Sequence, residues 1–459
     1  MNSDAHLVPP AIGARGEISG RFPAAFGRRF FLLLLIGLVW IGPSWSDSRY
    51  LLAMLAWDAA LMLAWSWDFA ALPKPEQLEI RRVWTSPLQL LVETKVTLEV
   101  HPRGNGYIEV EVLDDLPLSL RTEVPKMNVT LSAGAKGAAE YNVCPRERGD
   151  ATWGNVSLRY QSGLHLAERW AFAAMKQTVR IYPNLEESKR DTIYLIRSKQ
   201  VALEKRLAHQ RGQGREFESL REYRESDELR DVCWTATARR GKLISKSYQT
   251  ERSQTVWLVL DTGRLLRARV RELSKLDYAI AAALSVAQVA LYSGDRVAML
   301  AYGRRVQQRL APGRGPSHLR ALLEGLAQVR SEELEADHRR AVETLAVFQK
   351  RRSLVLWLTD LSETATTPEV VENAWHLAGR HLVLFTVIGQ PELREMLEAR
   401  PETPDQMYRY AAAQEIVQRR DVLLRSLRQQ GAITLEVEPA RLSSAVVNHY
   451  LLAKERSLI

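Results

Sequence analysis

Two uninterrupted stretches of apolar residues open the pattern: Phe30 to Ile41 reads FFLLLLIGLVWI, and Tyr50 to Leu72 follows, interrupted by Asp58 and Asp68. Two spans near the length of a bilayer crossing predict a helical hairpin over residues 30–72. Trp40, Trp45, Trp57, Trp65 and Trp67 lie largely toward the ends of these runs, where an indole can occupy the headgroup boundary. A cleaved signal peptide is the alternative, but the polar leader is long, no A-x-A site follows and a second apolar run comes at once. Asp58 is costly in lipid, so it is expected to face the other helix or a wet interface, with a functional polar contact inside the membrane as the sharper reading.

After Pro73 the period becomes two. Val96, Leu98 and Val100 alternate with Thr97 and Glu99, and Ile108, Val110 and Val112 with Glu109 and Glu111, which predicts strands. Gly104-Asn105-Gly106 between them suits a hairpin turn. With further β-rich pieces at Asn155 to Tyr160 and Thr178 to Tyr182, residues 73–183 read as a small antiparallel β-sandwich. From Gln254 the period alternates again. Thr255 to Leu260, Val297 to Tyr302, Leu354 to Thr359, Leu382 to Ile388 and Ile433 to Val437 read as buried strands. Leu273 to Leu291, His318 to Val329, Pro368 to Ala378, Met407 to Gln430 and Arg441 to Lys454 read as helices. That order predicts a mostly parallel, Rossmann-like α/β sheet covered on both faces.

Composition and charge sharpen this picture only in part. The chain has 459 residues, enough for two or three cored domains, and a formal charge of +9, which fits anionic lipid, nucleic acid or an acidic partner equally well. Position says more: Arg21, Arg28 and Arg29 precede the apolar runs and Lys74, Arg81 and Arg82 follow them, while the connecting turn holds only Arg49. By the positive-inside rule both termini and the soluble domains are expected in the cytoplasm, with the hairpin in a bacterial inner membrane. Cys144 and Cys233 lack a CxxC or Cys/His pattern, so neither a disulfide framework nor a zinc site is suggested, and Cys233 reads as a buried structural thiol.

Residues 184–253 link the two soluble parts and contain GREFESLREYRESDELRDVCWTATARRGKL, Gly214 to Leu243. Its bases mix with aromatics, but acids nearly balance them, so no nucleic-acid partner is expected. Leu220, Arg221, Tyr223, Asp227, Arg230, Asp231, Trp234, Ala236, Thr237 and Arg239 fall in a phrase that resembles the signature of the bacterial domain of unknown function family 58. In that family the phrase leads into a von Willebrand factor A-like strand, and a membrane hairpin and β domain commonly precede it. The resemblance thus implies residues 1–29 as a cytoplasmic tail, 30–72 as the hairpin, 73–183 as the sandwich and 254–459 as a von Willebrand factor A-like domain. Tyr160 to Leu164 departs from the D-P-F-G-L that family members often carry, which leaves the packing of that loop open.

Open α/β sheets place binding groups past the carboxyl ends of their strands. Asp261 and Asp360 follow two such strands. Resemblance to von Willebrand factor A-like domains implies a divalent cation such as Mg²⁺ held by a D-x-S-x-S loop, a later hydroxyl and a second Asp, an oxygen-only shell that hard cations favour. Here the set would be Asp261, Ser317 and Asp360, with Gly263 and Leu265 standing where the family has serines, and Thr262, Arg264 and Ser362 lining a partner-binding rim. In the plainer alternative Asp261 and Asp360 accept hydrogen bonds from neighbouring backbone. No phosphate loop, dinucleotide fingerprint, H-E-x-x-H pair or G-x-S-x-G elbow occurs, and His318 and His338 read as surface or core residues. The expectation is a membrane-anchored protein-binding module without catalysis. By resemblance its partner is a MoxR-type AAA+ ATPase, acting in assembly or maturation of other proteins. A structural scaffold in envelope biogenesis and a divalent-metal-dependent hydrolase at Asp261 and Asp360 are the competing classes.

Overall fold

Period-two stretches become strands. A computed structural model describes residues 14–102, 107–120, 123–131, 136–184, 216–223, 232–249, 254–360 and 375–456, in two units, Met1–Tyr182 and Pro183–Ile459. The first unit contains β1 (Ala14–Phe26), β2 (Leu78–Trp84), β3 (Thr94–Pro102), β4 (Ile108–Asp114), β5 (Lys126–Leu131), β6 (Gly137–Val143), β7 (Gly149–Trp153), β8 (Val156–Ser162), β9 (Ala167–Ala174) and β10 (Gln177–Ile181). Eight of these form an antiparallel sheet in the order β5-β4-β8-β9-β1-β2-β3-β6, and β7 pairs with β10. The start of β1 pairs with β2 and its remainder with β9, with register breaks between Gly20 and Phe22 and between Phe22 and Ala25. Such irregularities bend a strand, and the two halves of the sheet share a core in which Ile80, Leu98 and Val100 join Val110, Val112 and Leu158.

Two expectations are corrected here. The stretch assigned to a tail, residues 1–29, supplies β1 from Ala14 onward. The β3–β4 hairpin does not form: β3 lies between β2 and β6, and β4 between β5 and β8. Alternation dictates which face of a strand is buried but not which neighbour it takes, and both edges of each strand are occupied by others. Residues 103–106, where the turn was placed, lie outside the described residues.

Between β1 and β2 run α1 (Arg28–Gly37), the short α2 (Ile41–Ser44) and α3 (Arg49–Ala71). Among the described residues one helix, α3, is long and apolar enough to cross a membrane. Its outward residues Leu51, Leu52, Leu55, Leu63 and Trp67 are exposed, as are Phe31, Leu32, Leu35 and Ile36 of α1. The two helices meet at Gly37, where an added Cβ would stand 2.7 Å from Trp57 Cδ1 and 3.2 Å from Asp58 Oδ1. Asp58 therefore turns toward α1, and Trp57 Nε1 donates to Leu33 O at 3.0 Å. Trp65 is a packing residue: it stacks on Phe69 and tilts against Phe26.

The turn between β8 and β9 fastens the sandwich to these helices. Asp68, buried near the end of α3, accepts hydrogen bonds from Leu166 N at 3.1 Å, Ala167 N at 2.9 Å and the Ser162 hydroxyl. From the other side Gly27 N donates to Leu166 O at 2.7 Å, and Leu166 packs with Phe30 and Leu61. A Cβ on Gly27 would lie 2.1 Å from His165 O, so only glycine fits that approach. This is the loop whose sequence departs from the family pattern.

In the second unit β11 (Glu216–Glu222) pairs antiparallel with β12 (Ile244–Gln249), and α4 (Trp234–Arg240) lies between them in the chain. A six-stranded sheet follows, built from β13 (Thr255–Asp261), β16 (Arg296–Tyr302), β17 (Val306–Gly313), β18 (Leu354–Thr359), β19 (Leu382–Ile388) and β20 (Ile433–Val437), with the two-stranded β14 (Arg269–Val270) and β15 (Leu273–Ser274) between β13 and β16 in the chain. The order is β17-β16-β13-β18-β19-β20, parallel except for the edge strand β17. The helices are α5 (Lys275–Tyr292), α6 (Gly315–Gln328), α7 (His338–Phe348), α8 (Pro391–Glu398), α9 (Pro404–Gln429) and α10 (Leu442–Glu455). One face of the sheet packs Trp257, Val259, Trp357 and Phe385 against Leu345 of α7 and Leu423, Leu424 and Leu427 of α9. The other face meets α5, which packs in turn on α10 and α6. β17, α7 and α8 went unforeseen. Of the helix expected over residues 368–378, only 375–378 fall within the described residues, and these are helical.

Candidate functional site

Parallel pairing places the carboxyl ends of β13 and β18 side by side. Leu260 lies opposite Leu358, so Asp261 and Asp360, the residues expected at the rim, stand at one end of the sheet. Both are buried. Asp261 Oδ2 accepts a hydrogen bond from the Thr359 hydroxyl at 2.6 Å and Oδ1 one from Gly263 N at 2.7 Å. The backbone alternative therefore describes Asp261 well. Burial pushes its carboxyl above the ordinary value of 3.8, against the pull of His338 and those two hydrogen bonds. His338 Nδ1 lies 2.9 Å from Tyr302 OH, which accepts from Trp357 Nε1 at 2.7 Å, so the histidine is a satisfied core residue.

Asp360 has cationic partners. Lys275 Nζ, fully buried at the first position of α5, pairs with Asp360 Oδ2. Arg420 Nη2 of α9 stands 3.6 Å from Oδ1, and its Nη1 donates to Glu436 Oε1 at 2.9 Å. Burial lowers the Lys275 ammonium pKa, and Asp360 opposes that shift. Helix N-termini disfavour cations, so the carboxylate offsets both the dipole and the loss of water. Lys275 is set there by the capping box before it: Asp277 N donates to Ser274 Oγ at 3.2 Å and Ser274 N to Asp277 Oδ2 at 3.1 Å.

The loop after β13 is stitched to residues 330–337. Glu332 N donates to Thr262 O at 2.7 Å, Arg264 N to Leu334 O at 3.0 Å, and Gln307 Nε2 to the Thr262 hydroxyl at 3.0 Å. Exposed Arg264 and Arg267 pair with Glu335 and Glu333. Thr262 is thus buried and engaged, while Arg264 stays on the surface.

The residues present do not fit a divalent ion. Asp360 is spoken for by Lys275 and faces Arg420. At Gly263 an added Cβ would stand 2.8 Å from Ala336 N, so no serine side chain fits at the position where a D-x-S-x-S loop would need one. Leu265 offers no oxygen. Ser317 lies at the other end of the sheet: its neighbour His318 bonds Val297 O at 2.7 Å, and Val297 is the second residue of β16. The antiparallel return of β17 carries the chain away from the rim before α6 begins, a reversal that the sequence pattern did not signal. Among the described residues no group of three or more His, Cys, Asp or Glu could hold a metal. Ser362 lies outside the described residues. Lys275 and Arg420 were missed as members of this cluster, since each reads as an ordinary helix charge.

The signature phrase sits on the small ladder. Leu220 is exposed on β11, where Arg221 also lies, and Tyr223 N donates to Leu243 O at 2.9 Å. Trp234, Ala236, Thr237 and Arg239 lie on α4; Trp234 is exposed and the Thr237 hydroxyl accepts from Ile244 N at 3.0 Å. Asp227, Arg230 and Asp231 lie outside the described residues. Cys233 is half-buried rather than buried, and its thiol is lowered by the Thr235 hydroxyl.

With that geometry in place, residues 219–398 match the family described as "Protein of unknown function DUF58". This stretch carries the DUF58 match, over less than half of the chain. The match begins within β11 and takes in the signature, Asp261, Lys275 and Asp360, a narrower span than the resemblance, which extended over most of the chain. The chain covers 100% of the solved "conserved hypothetical protein BatB" from Bacteroides thetaiotaomicron with 44% of its own length, at 14% identity and a TM-score of 0.31. An aerotolerance-related membrane protein from Bacteroides fragilis is similar over 43% of this chain and 98% of that one, at 13% identity and a TM-score of 0.29. An uncharacterized membrane spanning protein from Vibrio fischeri is similar over 44% and 98%, at 13% identity and a TM-score of 0.16. At such scores nothing further follows for the DUF58 segment. No curated protein matches.

Proposed function

We propose that the chain is a membrane-anchored protein-binding module in which α1 to α3 form a two-pass hairpin and the parallel-sheet unit, von Willebrand factor A-like in its strand order, offers its strand-end rim to a partner. The observation that carries the anchor is the closure of one sheet across the apolar helices: β1 precedes them, and its neighbours β2 and β9 follow them. Strands of one sheet share one side of a bilayer. If α3 crosses, the α1–α2 segment crosses back. The charge argument loses some of its members. Arg82 is fully buried on the Asp114 carboxylate, and Arg81 lies on β2 beside Glu79, so neither is a free flanking charge. Arg28, Arg29 and Lys74 remain against Arg49 and still favour a cytoplasmic sandwich in a bacterial inner membrane.

A satisfied, charge-balanced rim supports docking over chemistry, since Asp261 and Asp360 are both buried and partnered. A MoxR-type AAA+ ATPase is the proposed partner, in line with the family resemblance. The test places the full chain in nanodiscs with such an ATPase, held by a non-hydrolysable nucleotide. Binding that weakens when Arg264 and Arg267 are reversed to Glu is the expected result; no binding in any nucleotide state defeats the ATPase partnership.

A further inference from the structure

We infer that the Lys275 ammonium is a built-in cation at the strand-end rim, occupying the electrostatic role that a divalent ion would have there, so that the domain folds and works without metal. Two carboxylates at adjacent strand ends repel each other and demand a counter-charge. Here the protein supplies it from within. Lys275 is fully buried and its Nζ pairs with Asp360, while Arg420 approaches the second oxygen of the same carboxylate. Asp261 closes on Thr359 and Gly263 N. Gly263 leaves no room for a hydroxyl ligand, and Ser317 is at the far end of the sheet. A divalent cation entering beside Asp360 would meet two positive side chains. The arrangement holds whichever partner docks, so it goes beyond the binding reading and does not depend on it.

The pair is testable as a pair. Removing one member of a buried ion pair strands the other, whereas replacing both with neutral groups of similar size is close to neutral. Melting curves of the full chain in detergent are compared for wild type, Lys275→Met, Asp360→Asn and the double variant, each with millimolar Mg²⁺ and with EDTA. The wild-type melting temperature is expected to be the same in both solutions. Each single variant is expected to melt at least roughly 5 °C lower, and the double variant above both, because it strands neither member of the pair while Arg420 keeps Glu436. If Lys275→Met fails to accumulate, Asp360→Asn against the double variant makes the same comparison. Mg²⁺ raising the wild-type melting temperature in a saturable way, or a double variant no more stable than the singles, overturns the inference.

Discussion

Gly263 shows how little room the rim leaves. A serine there would supply the hydroxyl that a D-x-S-x-S loop carries, but its Cβ would press to 2.8 Å on Ala336 N. Gly263→Ser is expected to cost about 1–3 kcal/mol from overpacking, measured by denaturant unfolding, with no gain of Mg²⁺ response. Asp261 carries a pH signature. Its pKa is raised on folding, so its contribution to stability is complete below the unfolded value and is lost as pH rises through the folded one. Asp261→Asn should therefore gain on wild type as pH rises across that window. Melting temperatures of the two proteins that run parallel from acid to neutral pH would refute the shift. At this scale Asp261 and Asp360 were readable, because a carboxylate just past a buried apolar run has few other places to be. Lys275 was not, since only the pairing of β13 with β18 and the capped start of α5 bring an ammonium from one segment onto a carboxylate 85 residues away.

Among the elements, the turn from β8 to β9 binds helices to sheet. Asp68 satisfies two backbone donors and a hydroxyl in that turn, all buried. Asp68→Ala leaves those donors without acceptors and is expected to cost about 1–3 kcal/mol, seen as a lowered melting temperature in detergent and faster cleavage at the turn by an added protease. Unchanged cleavage would mean that the turn is held by Leu166 packing alone. The parallel strands were legible almost to the residue, because a strand buried on both faces leaves a continuous apolar run. Partners in the antiparallel unit were not. Val100 and Ile108 have the right spacing for a hairpin, yet they stand in opposite halves of the bent sheet, and β1 lay hidden in a polar leader with little alternation.

For the whole molecule, the same-side constraint makes topology measurable at three positions. Reporters fused before β1 and after Ile459 should both behave as cytoplasmic, while one placed at Trp45 in the connection between the helices should behave as periplasmic. Opposite sides for the first and last reporters would break the two-pass reading. β1 also imposes a schedule on biosynthesis. It is translated before its ladder partners β2 and β9, which emerge only after the greasy helices. Long-range pairing of this kind bears a loop-closure cost and closes late. On the two-pass reading the nascent strand would wait, edges unpaired, until the helices had inserted, so a chain stalled at that step would present a sticky β edge to its surroundings instead of a finished sheet.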